Sequence, residues 1–207
     1  MIFEILPVGP LSANCFILGC EESKEGVVVD PGGDPERVIS VIERLGLRIT
    51  YIINTHGHFD HVGGNGLLLE HTGAALLIHE DDVRFLSMAA NVALKYGVSS
   101  ENSPPPDRHL EEGMIISFGG HRIEVLHTPG HTPGGCCLHI SSEKLVITGD
   151  TLFAEGVGRT DFPGGSHQQL IDSIRSRLLT LPEETRVYPG HGPSTTIGHE
   201  KRYNPYI

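Results

Sequence analysis

The sequence predicts an α/β protein built as a four-layer αββα sandwich, with two β-sheets in the centre and helices on both outer faces. Two observations predict this fold. Short apolar segments typical of strands fall into two runs along the chain, and each run is associated with segments of helical periodicity. A chain of 207 residues also falls within the size of one large domain, so we expect a single domain over residues 1–207.

The first run of strands occupies the N-terminal part of the chain. Gly, Pro, Asn or charged residues bound its short apolar segments, which are rich in β-branched residues. The predicted strands are residues 2–6, 14–18, 26–30, 48–53 and 75–78. The segment 48–53 is the clearest buried strand, because it combines β-branched and aromatic residues.

Helical segments alternate with these strands. Asp34 followed by Pro35 is typical of an N-cap and a first-turn proline, and predicts a helix that ends near Leu45. A glycine-rich turn at 63–66 is followed by a second predicted helix to about His71. Helical periodicity then extends over residues 80–96.

The second run of strands follows a predicted surface loop at residues 99–107, where consecutive prolines break all periodicity. Two hairpins are predicted beyond it, the first from 114–118 and 122–127, the second from 137–140 and 144–148. An amphipathic helix at 168–179 and a short strand at 186–188 complete the predicted elements.

The composition argues against several classes of partner. The formal net charge of −11 provides no basic field for a phosphate backbone, so we expect no nucleic-acid partner. No apolar run approaches the roughly 20 residues that span a bilayer, and residues 1–10 do not resemble a signal peptide. The four cysteines lack the spacing of a disulfide framework or a zinc finger. We therefore expect a cytoplasmic protein without a membrane partner.

One short segment, Thr-His-Gly-His-Phe-Asp-His at 55–61, contains four potential metal ligands. They are His56, His58, Asp60 and His61. Imidazoles and carboxylates are the ligands that zinc, iron and manganese accept. Three histidines and an aspartate packed together without a metal would leave polar groups to be solvated, with no gain in packing. The segment therefore predicts a metal site, placed at the end of the strand 48–53.

Three further potential ligands stand alone in the sequence: His131, Asp150 and His191. Each follows a glycine and lies near the end of a predicted strand. A glycine at a strand end permits the backbone to bend, so each side chain can point toward a shared cavity at a sheet edge.

The order HxHxDH, then His, then Asp, then His, spread over residues 56–191, resembles the metallo-β-lactamase superfamily. The resemblance implies an αββα sandwich of two mixed β-sheets and a site for two divalent metal ions, zinc first and iron or manganese next. It also implies a bridging role for Asp150, an arrangement unlike true β-lactamases, which commonly place a cysteine near this point. The implied ligands are His56, His58 and His131 for site one, and Asp60, His61 and His191 for site two.

Three other segments resemble the glyoxalase II group: 128–134 (TPGHTPG), 149–153 (GDTLF) and 158–162 (GRTDF). The resemblance is strongest to the compact bacterial glyoxalase II-like proteins. It implies hydrolysis of a small-molecule thioester such as S-lactoylglutathione by a metal-bridging hydroxide, which Asp60 orients or deprotonates. Classical glyoxalase II has a C-terminal helical domain for glutathione, whereas 16 residues follow His191 here (207 − 191). Arg159, Lys201 and Arg202 are the candidate contacts to a substrate carboxylate.

The residues leave other activities open. A mononuclear Fe(II) persulfide dioxygenase, which the segment 158–162 also resembles, would use His56, His131 and Asp150 as its two-histidine, one-carboxylate triad. A lactonase or phosphodiesterase would use the same metal core with a different pocket. The complete second set of ligands favours the hydrolase. Thr55, Thr132 and Asp161 are candidates for fixing the imidazole tautomers.

Overall fold

Two six-stranded β-sheets form the centre of the protein in the computed structural model, which describes residues 1–207. The strands of the first sheet are β1 (Ile2–Val8), β2 (Ala13–Gly19), β3 (Glu25–Val29), β4 (Arg48–Ile53), β5 (Ala75–His79) and β6 (Arg108–Leu110), in that spatial order. Strands β1 to β3 pair antiparallel, whereas β3 to β6 pair parallel. The first sheet is therefore mixed.

The second sheet is mixed as well. Its strands are β7 (Ile115–Phe118), β8 (His121–His127), β9 (Cys136–Ile140), β10 (Leu145–Gly149), β13 (Arg186–Pro189) and β14 (Thr195–Thr196). Their spatial order is β14-β13-β10-β9-β8-β7, and a separate hairpin consists of β11 (Leu152–Phe153) and β12 (Gly156–Val157). Strand β13 pairs parallel to β10, and two antiparallel pairings relate β10 to β8. Strands β8, β10 and β13 therefore all end at the same edge of the sheet.

Helices cover the outer faces of both sheets. They are α1 (Pro35–Leu45), α2 (Phe59–Val62), α3 (Asn65–Thr72), α4 (Val83–Leu86), α5 (Ala89–Lys95), α6 (His167–Ser173) and α7 (Ile197–Tyr203). Val38 of α1 and Leu68 of α3 pack against the first sheet, and Leu170 of α6 packs against the second. Each such side chain contributes about 1.5–3 kcal/mol when fully buried. Between the sheets lies a core of 17 buried residues, which confirms the predicted four-layer sandwich.

The predicted helix over residues 80–96 is interrupted. It consists of a 3₁₀ turn at Glu80–Asp82, followed by α4 and α5. The interruption turns the fully buried Asp82 inward, where its carboxylate accepts hydrogen bonds from the backbone N–H of Gly57 and of Gly134. Both contacts are long-range, so the hydrophobic periodicity of residues 80–96 does not predict them.

Other local predictions need correction. The side chain of Asp34 does not cap α1, because it accepts a hydrogen bond from the Gly9 N–H at 2.9 Å instead. Strand β6 was not predicted, since a three-residue strand is too short for a periodic pattern. The predicted helix 168–179 is α6 continued by a π-helix at Ile174–Leu178. The short strands β11, β12 and β14 and helix α7 were also not predicted.

None of the helices combines the length and the apolar character that crossing a bilayer requires. All four cysteines are buried and free. Burial raises the pKa of the Cys137 thiol to about 11, so this thiol stays protonated and unreactive near neutral pH.

Candidate metal centre

The structure brings all seven predicted ligands together at one edge of the sandwich. The segment with His56, His58, Asp60 and His61 directly follows β4 of the first sheet. The other three ligands, His131, Asp150 and His191, follow β8, β10 and β13, which end at the same edge of the second sheet. The site therefore lies where the ends of the two sheets meet.

The first cluster consists of His56, His58 and His131, whose ligand atoms all lie within 4.8 Å of one another. The Nδ1 of His58 is 2.9 Å from the Nε2 of His131. Two ring nitrogens bound to one metal at about 2.1 Å each, with angles of about 90–110°, are about 3.0–3.4 Å apart. The spacing of this pair is close to that of ligands on one metal ion.

The second cluster consists of Asp60, His61 and His191. The Nε2 atoms of His61 and His191 are 3.3 Å apart, and an Asp60 oxygen lies 3.2 Å from the His191 Nε2. This donor set, two imidazoles and a carboxylate, suits a borderline divalent metal as well as the first set does.

Asp150 lies between the two clusters. Its Oδ1 is 3.6 Å from the His61 Nε2, and its Oδ2 is 3.6 Å from the His131 Nε2. The Oδ2 also lies 3.8 Å from the His191 Nε2, so the carboxylate is close to imidazoles of both clusters. A side chain on Gly190 would overlap the Oδ1 of Asp150, so the glycine before His191 provides the space for this carboxylate.

Two buried polar atoms test whether the residues fit metal ions. Three buried side-chain polar atoms have no hydrogen-bond partner: the Oγ1 of Thr132, which is next to His131, and these two, the Nε2 of His56 and the Oδ1 of Asp150. A buried polar atom left without a partner costs about 1–3 kcal/mol, so such atoms are rare unless a ligand satisfies them. Both atoms belong to the ligand set, one in the first cluster and one between the two. The donor set and these two atoms therefore fit a pair of divalent cations.

The histidines of the two clusters differ in the direction in which their pKa values are shifted. Burial and the neighbouring imidazoles lower the pKa of His56 well below its usual value, and burial with His131 lowers the pKa of His58 to about 3. Both rings are therefore neutral at physiological pH, as metal ligands must be. His61 is different: burial opposes its protonation, but the nearby carboxylates, Asp60 first, outweigh burial and raise its pKa to about 10.

Asp30, which the sequence analysis missed, orients His61. It is fully buried at the end of β3, and its Oδ2 lies 3.0 Å from the His61 Nδ1. The same carboxylate accepts hydrogen bonds from the Thr55 N–H at 2.7 Å and from the Thr55 hydroxyl at 2.6 Å. A carboxylate on the Nδ1 side leaves the Nε2 of His61 as the metal-binding nitrogen. Its position at the end of a buried strand was the available sequence signal.

Asp82, which lies outside the ligand motif, stabilises the turn at His56–His58 through hydrogen bonds. Its Oδ2 accepts from the Gly57 N–H at 2.9 Å and its Oδ1 from the Gly134 N–H at 2.7 Å. A Cβ on Gly57 would lie 2.8 Å from the Cβ of Phe85 and 2.9 Å from the Asp82 carbonyl oxygen, so the turn has no room for a side chain. Asp82 therefore joins the two ligand segments that carry His58 and His131.

The predicted partners of the imidazoles are only partly those observed. The Thr55 hydroxyl lies 3.1 Å from the His56 Nδ1, as expected. The Nδ1 of His131 instead lies 2.7 Å from the backbone carbonyl of Arg159. Asp161 pairs with the Arg159 side chain and touches no ligand. A backbone carbonyl carries no sequence signal, so this contact was not predictable.

A cleft of about 570 Å³ opens above the clusters. Its lining includes His58, Asp60, His131 and Asp150, together with nine hydrophobic residues and Arg159. Lys201 and Arg202 lie on α7, outside the lining of the cleft, and Arg202 is paired with Glu183. The structure thus places one of the three predicted substrate contacts at the cleft and the other two away from it.

The family model described as the Metallo-beta-lactamase superfamily matches residues 8–191. The hydroxyacylglutathione hydrolase GloC of Haemophilus influenzae is 41% identical, over 100% of this chain and 98% of that protein. The structure of the BLEG-1 B3 metallo-beta-lactamase superposes with a TM-score of 0.92 and 36% identity, covering 99% of each chain. That of TTHA1623 in a di-iron-bound form gives 0.91 and 40%, over 99% of this chain and 100% of the other. The chain belongs to the metallo-β-lactamase superfamily.

Proposed function

We propose that this protein is a dinuclear metal-dependent hydrolase that cleaves the thioester bond of a small glutathione conjugate such as S-lactoylglutathione. The observation that carries the dinuclear assignment is the position of Asp150, whose carboxylate oxygens lie 3.6–3.8 Å from imidazole nitrogens of both clusters. The thioester assignment is supported by the likeness to a hydroxyacylglutathione hydrolase over the whole chain. The net charge of −11 favours a small-molecule substrate over nucleic acid, and the four free cysteines support a cytoplasmic location.

The residues of the two clusters would hold the metals in the sets described above, with Asp150 shared. When bound, two divalent metals would lower the pKa of a coordinated water to near neutrality, and they would supply positive charge to the oxyanion and to the leaving thiolate. Asp30, Thr55 and the Arg159 carbonyl keep the imidazoles in their binding tautomers, so that the ligand set is ordered before the substrate arrives.

Asp60 is assigned a positioning role for the attacking water. Burial raises the pKa of this carboxyl, but His61 and His191 outweigh burial and hold it below the usual value. Asp60 is therefore ionised and a poor store for a proton, which favours orientation of the water over proton transfer. The same carboxylate lines the cleft, so it faces the space where a thioester would lie.

The mononuclear dioxygenase remains the main competing activity, since its triad of His56, His131 and Asp150 is present. A mononuclear enzyme would leave Asp60, His61 and His191 without a function, yet these residues form a compact second cluster. Two metal ions account for both clusters. The neighbour named as a B3 metallo-beta-lactamase makes β-lactam hydrolysis a necessary control activity.

The test combines metal analysis with three assays on one preparation. Metal content is measured by elemental analysis on freshly purified protein. Activity is then measured as hydrolysis of S-lactoylglutathione, as oxygen uptake with glutathione persulfide, and as cleavage of a chromogenic cephalosporin. The expected result is about two metals per chain and thioester cleavage that far exceeds β-lactam cleavage.

Two results would contradict the proposal. One iron per chain with oxygen uptake that depends on persulfide would assign the protein to the dioxygenases. Full activity in Asp150→Ala would show that the carboxylate shared by the two clusters is dispensable. His71→Ala is the matched control, because His71 is exposed and forms its ion pair with Glu43, away from both clusters.

A further inference from the structure

The cleft above the metal centre has two walls of different origin. The helix wall comes from the region of α4 and α5 and consists of Phe85, Met88, Val92, Lys95 and Tyr96. The hairpin wall comes from β11, β12 and the following loop and consists of Phe153, Val157, Arg159, Phe162 and Pro163. The metal-ligating side chains line the cleft between these walls. A substrate with its reacting bond at the metals must therefore pass between the walls.

The helix wall packs against the segment that carries Asp60. Ala89 and Ala93 of α5 are buried in a cluster with Phe59 and Leu86, and the Tyr96 ring lies 5.5 Å from the Phe59 ring, centroid to centroid. Met88, Val92 and Lys95 are spaced by four and then three residues, so they share one face of the helix. Because Phe59 directly precedes Asp60, this packing joins helix α5, which carries Lys95, to the ligand segment.

The two cations of the cleft differ in their partners. The Arg159 guanidinium forms two hydrogen bonds to Asp161, at 3.0 and 2.7 Å, and lies 4.4 Å from the centre of the Phe162 ring. Its positive charge is thus already balanced by a carboxylate. Lys95 has no such partner, since the only lysine ion pair in the structure joins Lys144 to Glu184. Lys95 is therefore the unpaired cation of the cleft.

We infer that Lys95 binds a carboxylate in the thiol-derived part of the thioester substrate. This contact gives the site a preference for anionic over neutral thioesters. The inference rests on the proposed function. Lys95 is exposed at a cleft with mostly hydrophobic lining, and a substrate seated there would exclude water and so strengthen attraction between the ammonium group and a carboxylate. Lys95 takes the place that the sequence analysis gave to Lys201 and Arg202, which lie outside the cleft lining.

The test compares two substrates that share the reacting bond. S-lactoylglutathione carries carboxylates on its thiol part, whereas S-lactoyl-N-acetylcysteamine is neutral. For Lys95→Gln we expect about a tenfold loss of kcat/KM with the glutathione thioester, mainly through KM, as for the loss of one partly exposed charge pair. The neutral thioester should change by less than about twofold. Lys201→Gln, which removes an exposed lysine from helix α7, should change neither.

Binding provides a readout that does not depend on turnover. S-methylglutathione is a thioether and cannot be hydrolysed, so calorimetry on the metal-loaded protein measures recognition of the thiol part alone. Lys95→Gln should weaken this binding about tenfold, and added salt should weaken binding to the wild type more than to the variant. Failure of the wild type to cleave either thioester would refute the proposed function, while this binding comparison would still decide the role of Lys95.

Two results would overturn the inference. Equal losses of kcat/KM on the anionic and the neutral thioester would show that Lys95 stabilises the helix wall and does not recognise the charge of the substrate. Unchanged binding of S-methylglutathione by Lys95→Gln would show that the carboxylate lies elsewhere.

Discussion

Replacing Asp30 by Asn should weaken metal binding without touching any metal ligand. The Asp30 carboxylate faces three groups, the Thr55 N–H, the Thr55 hydroxyl and the Nδ1 of His61. An amide keeps one oxygen for the Thr55 N–H but presents an N–H₂ group to the other two. His61 then accepts at Nδ1 and carries its proton on Nε2, which is the nitrogen that faces His191 and Asp150.

The size of the effect follows from these contacts. Loss of an outer partner of a ligating histidine typically lowers metal affinity about 10–100-fold, which equals about 1.4–2.8 kcal/mol. In the metal-free protein, loss of one hydrogen bond to a buried charged group should lower the free energy of unfolding by about 1.5–3 kcal/mol. For a chain of this size that corresponds to a fall in Tm of roughly 3–12 °C.

Chelator competition measures the affinity, and thermal unfolding of the metal-free protein measures the stability. Asp34→Asn is the matched control, because Asp34 is exposed and also has a positive φ, 47° against 51° for Asp30, which asparagine tolerates. The control should bind metal like the wild type. If Asp30→Asn binds metal as tightly as Asp34→Asn does, the assignment of Asp30 to the tautomer of His61 is wrong.

Three further predictions concern the centre itself. Asp150→Ala should lose activity together with bound metal, measured by elemental analysis, whereas His71→Ala should keep both. Metal binding near neutral pH should release about one proton or more, because the pKa of His61 is about 10 and its Nε2 must be deprotonated to bind, so affinity should rise with pH. Calorimetry in buffers of different ionisation enthalpy checks this, and a signal independent of the buffer would contradict it. Gly190→Ala should displace the Asp150 carboxylate, so the metal content per chain should fall clearly while Tm changes little. An unchanged metal content would refute the steric role of this glycine.

The fold was predictable where a pattern is local. Strand β4 and the hairpins of the second sheet follow from runs of β-branched residues between turn residues, and α1 begins at its predicted Pro35. The interruption near Asp82 and the short strand β6 were not predictable, because each depends on a partner far along the chain: Gly134 for Asp82, and β5 for β6.

The sequence by itself indicated the candidate ligand set, because four potential ligands lie within six residues, where packing without a metal brings no gain, and each isolated candidate follows a glycine at a strand end. Only the tertiary structure decided what surrounds that set. Asp30 meets His61 across 31 positions, and the Arg159 carbonyl meets His131 across 28. The pairing of Arg159 with Asp161, and the placement of Lys95 in the cleft with Lys201 outside it, likewise depend on packing between separate elements. Ligand chemistry is encoded in residue type and local spacing, whereas orientation and substrate contacts depend on distances that only the folded chain defines.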